Sequence, residues 1–334
     1  MPDSAQGPPQ QPGRRRSSSG GEPHRPGVTL VLGGGGFKGL AHVGVLAVLQ
    51  REGIAVERIV GTSAGALIGA MYCQTGDAEA VAARAVPFVA SDGLAGNLPR
   101  FTRPPRGAPH RSLFTRLLSG IRRQVAFERM YRHRSAFGHA ALRYIIRNLV
   151  DRGTLEHLPV PLVIGALDLV KGEEVLLTEG DLLTAVIASS AVPGFFPPVE
   201  HAGTLLCDAG LVDNLPTRAA RELGAERVVA VDISGGLPPS SPESGGMEVL
   251  FRAQEISTRL SNRRRAEHAD VILRPDLGGR SWLDARNPQE LVDAGILAAE
   301  AGLTELHALV APRSAGDHGA GDDEARSDPA LQRD

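Results

Sequence analysis

Short runs of β-branched and aliphatic residues alternate with longer stretches of helical periodicity through most of the chain. The pattern predicts strands at 28–32, 58–60, 162–166, 174–177, 204–207, 227–232 and 271–274. It predicts helices at 40–52, 64–74, 182–190, 217–223, 247–268 and 289–309. Strands that alternate with helices imply right-handed crossovers and a largely parallel sheet covered on both faces. No internal repeat interrupts the pattern, so one α/β domain over residues 28–312 fits better than two.

Three stretches depart from this rhythm. Residues 1–27 are rich in Pro, Gln, Gly, Ser and Arg, and residues 313–334 are acidic, polar and Gly/Ala-rich. Neither can bury enough apolar surface to offset the entropy of ordering, so both are expected to be disordered tails. Residues 88–152 read as an insertion. From Arg100 to Arg152 the acids are Glu128 and Asp151 alone, against many arginines. Within it Leu113, Phe114, Leu117, Leu118 and Ile121 recur at helical spacing beside Arg116, Arg122 and Arg123. A basic amphipathic helix of this kind fits either a helix packed on the domain or peripheral contact with an anionic membrane.

Composition narrows the function classes. At 42% hydrophobic and 22% charged residues, the 334-residue chain can bury a sizeable core. A formal net charge of −2 argues against a surface built for nucleic acid. The two cysteines, Cys73 and Cys207, suit a reducing compartment and make no thiolate metal site. Arg14, Arg15 and Arg16 precede no apolar stretch, so no secretory signal is expected, and no 18-residue apolar window suggests a transmembrane helix. These features point to a cytoplasmic protein able to touch a membrane from outside.

The first chemical signal is Gly33-Gly-Gly-Gly-Phe-Lys-Gly39, between an expected strand and an expected helix. Consecutive glycines expose several N–H groups at a helix N-terminus, a geometry used for phosphate binding and for oxyanion holes alike. The spacing of Gly34, Gly36 and Gly39 also fits GxGxxG, but the next strand carries no terminal acid for a ribose. It runs instead into Gly61-Thr-Ser-Ala-Gly65, a GxSxG nucleophile elbow in the strand–turn–helix setting that exposes Ser63. A Walker loop is excluded, because Lys38 is followed by Gly39.

A nucleophilic serine needs a base. His268 and His307 fall late in helical stretches, His318 lies in the tail, and His42 suits packing or support of the Gly loop. Asp208, at the C-terminal end of a strand in Cys207-Asp-Ala-Gly210, is better placed as the base or as a turn-capping residue. Asp213 or Asn214 is expected to cap the helix that follows Pro216. Ser189 and Ser190, in Ala188-Ser-Ser-Ala-Val-Pro-Gly-Phe-Phe-Pro-Pro198, lack an elbow. Phe195 and Phe196 read as core or as the wall of an acyl pocket.

Taken in order, the Gly loop, the elbow, the Pro-Gly-Phe-Phe-Pro-Pro segment and the Asp208-Ala-Gly210 turn resemble the patatin-like phospholipases. The likeness covers roughly residues 28–235. It implies a three-layer α/β/α fold with a mostly parallel central sheet, and a Ser63–Asp208 dyad without histidine. It implies an oxyanion hole at Gly34, Gly35 and Gly36, with Lys38, Gly39, Gly61, Gly65, Ala209 and Gly210 as supporting motif positions. Lipid acyl esters would be cleaved through an acyl-Ser63 intermediate, with no cofactor and no metal. Acyl transfer from the same intermediate, or a catalytically weak lipid-binding protein, are the alternatives. The family has glycine where this chain has Ala209; if that position needed positive φ, alanine would add about 1 kcal/mol of strain.

Overall fold

The computed structural model describes residues 27–91, 135, 137–237 and 246–312. The chain runs β1 (Val28–Leu32), α1 (Leu40–Arg51), β2 (Val56–Thr62), α2 (Ala64–Thr75), α3 (Ala78–Ala90) and α4 (His139–Leu149). There follow β3 (Leu162–Asp168), β4 (Glu173–Leu177), α5 (Leu182–Ser189), β5 (Val199–His201), β6 (Thr204–Asp208) and α6 (Thr217–Glu222). The last elements are β7 (Val228–Val231), α7 (Gly246–Arg265), β8 (Val271–Leu273), α8 (Pro288–Ala301) and α9 (Leu303–Val310).

All eight strands form one sheet, in the order β5-β6-β3-β2-β1-β7-β8, with β4 also on β3. Strands β3, β2, β1, β7 and β8 are mutually parallel, whereas β4 and β6 run antiparallel to β3, and β5 antiparallel to β6. Period-two alternation sorts the strand side chains between two cores. Leu30 and Leu32 join the larger one with Leu46, Ile68, Val81, Ile146, Val186 and Leu291 from six helices. Val31, Val60, Val163 and Val228 face the other way, against Leu215 and Ala220. The sheet is therefore buried on both faces, as a three-layer α/β/α fold requires. Each fully buried Leu or Ile contributes roughly 1.5–3 kcal/mol of transfer free energy.

Strand β3 divides its partners in a way that matters for the site. Its Ile164–Asp168 portion pairs with β4. Elsewhere β2 pairs as far as Thr62↔Gly165, and β6 takes over at Ala166↔Asp208. The ends of β2 and β6 thus meet head to head on one edge of β3. Asp208 reaches the site on an antiparallel strand, not through the rule for C-terminal ends of parallel strands that made it a candidate.

Several elements differ from expectation. Helix α3 went unrecognised because its run of alanines carries little hydrophobic contrast; the Asp77 side chain caps it by accepting the Glu79 N–H at 2.9 Å. The three-residue β5 is too short to show alternation. One long helix expected at 289–309 is two, parted at Gly302. Helix α4 lies inside the stretch read as an insertion, yet Leu142, Ile146 and Leu149 are buried in the main core. The basic segment 112–123 and both tails lie outside the described residues. Among the described residues no helix is long and apolar enough to cross a membrane.

Candidate active site

The elbow is set by close packing. A Cβ on Gly65 would lie 2.0 Å from the Leu32 carbonyl oxygen, so only glycine lets α2 begin directly behind β1. Ser63 is held at φ 55°, ψ −117°, a strained conformation for a residue with a side chain. A serine at a helix N-cap normally turns back to bond its own helix, but Ser63 makes no such bond. Its hydroxyl instead faces the carboxylate of Asp208 and exerts a lowering pull on that group's pKa. Ser63 and Asp208 are both buried, at 8% and 4% exposure.

Asp208 accepts a hydrogen bond from the Gly210 N–H at 2.8 Å, and its own N–H donates to the Ala191 carbonyl at 3.1 Å. Burial raises its carboxyl to about pKa 6, against the opposing pull of the Ser63 hydroxyl and the Gly210 N–H. Ala209, wholly buried, opens a 3-10 turn and is not among the residues at positive φ. Replacing the family's glycine there adds no left-handed strain.

The Gly loop follows β1, whose parallel pairing with β2 brings the C-terminal ends of both strands to the same edge. A Cβ on Gly34 would lie 3.1 Å from the Ser63 Cβ, so the loop backbone passes directly over the nucleophile. Asn214 clamps it: the Gly34 N–H donates to the Asn214 carbonyl at 3.1 Å, and the Asn214 side-chain amide donates to the Gly34 carbonyl at 3.3 Å. His42 donates Nε2–H to the Gly33 carbonyl at 2.8 Å. Complete burial lowers its pKa to about 4, so it stays neutral while it holds the loop. Lys38 donates to the Ser234 carbonyl at 3.0 Å, and burial lowers its ammonium to about 8.

Neither residue expected to cap α6 does so: Pro216 is the N-cap and no side chain bonds there. Asn214 is taken by the Gly loop. Asp213, buried at 1% exposure, pairs with Arg265 at 3.1 Å and lies beside Glu174, whose carboxyl is raised by burial and by the neighbouring Asp213 charge. The Asp213 carbonyl accepts the Thr62 hydroxyl at 3.3 Å, next to the nucleophile. Among the histidines weighed as bases, His307 is on the surface beside Glu52, His268 is exposed, and His318 lies outside the described residues.

Two residues of this region carry more than their sequence context suggested. Ser189 accepts the Ser63 N–H at 2.8 Å and donates to the Gly165 carbonyl at 2.7 Å, pinning the elbow to β3. Trp282 offers its carbonyl to the Phe37 N–H at 2.9 Å and meets Phe195 edge-on, with ring centroids 4.9 Å apart. No local motif marks Trp282; its loop arrives from the far end of the sequence.

Ser63 stands where two cavities meet. One has the charged side chains of Lys38, Glu255, Arg259 and Arg280 in otherwise largely apolar walls. The other is walled by Leu67, Phe88, Leu142, Ile145 and Phe196 and is almost wholly apolar. Gly36, Val192 and Trp282 border both.

Residues 30–221 match the patatin-like phospholipase family. A patatin-like phospholipase domain-containing protein of Caenorhabditis elegans is 29% identical over 316 residues, covering 86% of this chain and 21% of that protein. An uncharacterised NTE family protein of Mycobacterium tuberculosis is 28% identical over 305 residues, covering 84% of this chain and 47% of the relative. A lysophospholipase of Aspergillus fumigatus is 31% identical over 219 residues, which cover 66% of this chain and 12% of that protein. The chain thus spans about half the length or less of these relatives. With the match reaching from β1 through α6 and containing both Ser63 and Asp208, the chain belongs to the patatin-like phospholipase family.

Proposed function

We propose that the protein is a serine acyl-ester hydrolase acting on lipids, with Ser63 as nucleophile and Asp208 as its base. One observation carries the reading: a strained, buried serine facing a buried carboxylate, at the junction of an apolar cavity and one with charged groups in its walls. Ser63 Oγ attacks the ester carbonyl as its proton passes to Asp208. The N–H groups of Gly35 and Gly36 receive the developing oxyanion, since the Gly34 N–H is engaged by Asn214. The leaving alcohol departs with the proton from Asp208. Water, deprotonated by Asp208 in turn, then cleaves the acyl-Ser63 ester. The acyl chain lies in the apolar cavity and the head group in the charged one. A relative named as a lysophospholipase supports a lipid substrate.

The test is labelling by a fluorophosphonate probe, together with hydrolysis of p-nitrophenyl esters and lysophosphatidylcholine. The wild-type chain should label and hydrolyse, and Ser63→Ala should do neither while melting as a folded protein. Retention of more than about a hundredth of the activity in Ser63→Ala would remove the assignment, because losing a nucleophile costs far more. Product analysis with an added acceptor alcohol separates hydrolysis from acyl transfer.

A further inference from the structure

Helix α7 reverses the usual arrangement of a surface helix, in which apolar residues face in and polar residues face out. Its inward face belongs to the site and, apart from Phe251 packed against Phe195, is polar. The Thr258 hydroxyl donates to the Gly210 carbonyl at 3.4 Å, beside Asp208, and the Asn262 amide donates to Asp232 at 2.8 Å. Glu255 and Arg259 on that face line the charged cavity. The outward face carries Val249, Leu250, Ile256 and Leu260, exposed at 57, 58, 39 and 52%. With exposed Ala253, positions 249, 253, 256 and 260 fall four, three and four residues apart, which makes one continuous stripe. Val212, 47% exposed, follows the turn against which the helix lies.

An exposed apolar stripe of this kind marks an interaction surface. Its charge identifies the partner. Of the arginines of α7, Arg259 and Arg265 turn inward to the cavity and to Asp213, whereas Arg263 and Arg264 stand exposed at its end. Apolar side chains with flanking arginines on one helix are what an anionic bilayer surface binds: the side chains enter the acyl boundary and the guanidinium groups meet phosphate. The opposite face of the same helix walls the cavity that contains Ser63. Seating the stripe on a bilayer therefore places the helix that walls the site at the lipid surface.

We infer that the outward face of α7 is a docking surface for anionic lipid bilayers, an inference that rests on the acyl-hydrolase reading for its purpose but not for its test. The full chain is sedimented with phosphatidylglycerol vesicles and with phosphatidylcholine vesicles, and hydrolysis of vesicle lipid and of a soluble short-chain p-nitrophenyl ester is followed. Leu250→Asp with Leu260→Asp should weaken binding to phosphatidylglycerol vesicles at least about tenfold, since each apolar side chain withdrawn from the interface costs about that much. Vesicle hydrolysis should fall with it, while kcat/KM on the soluble ester stays unchanged. Arg263→Glu with Arg264→Glu should abolish the preference for phosphatidylglycerol over phosphatidylcholine. Vesicle binding by the leucine variant equal to wild type would overturn the inference. So would a wild-type chain that sediments with neither vesicle, or a wild-type dimer that becomes a monomer in the leucine variant, which would assign the stripe to a second copy of the chain. A wild-type chain that docks through the stripe but hydrolyses no ester would remove the hydrolase reading and leave the surface standing.

Discussion

At Asp208, burial and chemistry pull in opposite directions, and pH separates them. A carboxyl raised to about 6 is half protonated at that pH, so kcat/KM on a soluble ester should fall about tenfold per unit below pH 6. The stability effect has a definite sign. Because the folded-state pKa is raised above the unfolded value of 3.8, the folded chain holds the proton through the window from about 4 to 6. Stability is then lost as pH rises through that window, and the ionised group works against folding at neutral pH. Asp208→Asn should abolish most turnover yet raise stability at pH 7 by about 1–3 kcal/mol, with the gain vanishing near pH 4. Urea denaturation of both proteins at the two pH values checks this. A variant that is less stable at pH 7 would show that the interactions with Ser63 and Gly210 outweigh the burial.

At the scale of elements, the site depends on how closely helices approach the sheet and one another. Helices α1 and α8 cross at Gly44 and Gly295: a Cβ on Gly295 would lie 1.9 Å from the Ala41 carbonyl, and one on Gly44 would lie 2.0 Å from that of Val292. Helix propensity alone favours Gly295→Ala by about 1 kcal/mol. Contact with rigid backbone decides otherwise, since overpacking typically costs about 1–3 kcal/mol and here no flexible side chain can yield. Gly295→Ala should therefore lower the urea midpoint, and because α1 carries His42 to the Gly loop it should slow ester hydrolysis as well. A raised midpoint would mean that the helices separate without cost.

Across the whole molecule, the wall of the apolar cavity is assembled from helices far apart in the chain, with Leu67 from α2, Phe88 from α3 and Ile145 from α4. Ile145 is half-buried and reaches that wall from the helix first read as part of an insertion. Filling the space with Ile145→Trp should reduce kcat/KM for long-chain p-nitrophenyl esters at least about tenfold, the effect of displacing one or two buried methylenes of substrate. Acetate and butyrate esters should react as before, and thermal melting reports on folding. An equal loss for short and long esters would place the acyl chain elsewhere.

Much of this was legible from order along the chain, because the physics involved is local. Strand alternation, helical periodicity and the glycines of the elbow act over a few residues, so β1, β2, α1, α2 and the candidacy of Ser63 could be read directly. What could not be read depends on pairing between distant segments. Asp208 lies beside Ser63 because β6 continues the edge of β3 where β2 leaves off, and no local pattern encodes that exchange of partners. Asn214 looked like a helix cap because capping is a local rule, yet the Gly loop 180 residues away claimed its polar groups. Ser189 looked idle because its two bonds go to Ser63 and Gly165. Trp282 and α7 carry no local signal for the site at all. Local sequence determined which residues were chemically equipped to act, and tertiary structure decided which of them meet, because burial and hydrogen-bond satisfaction are settled only when the whole chain has packed.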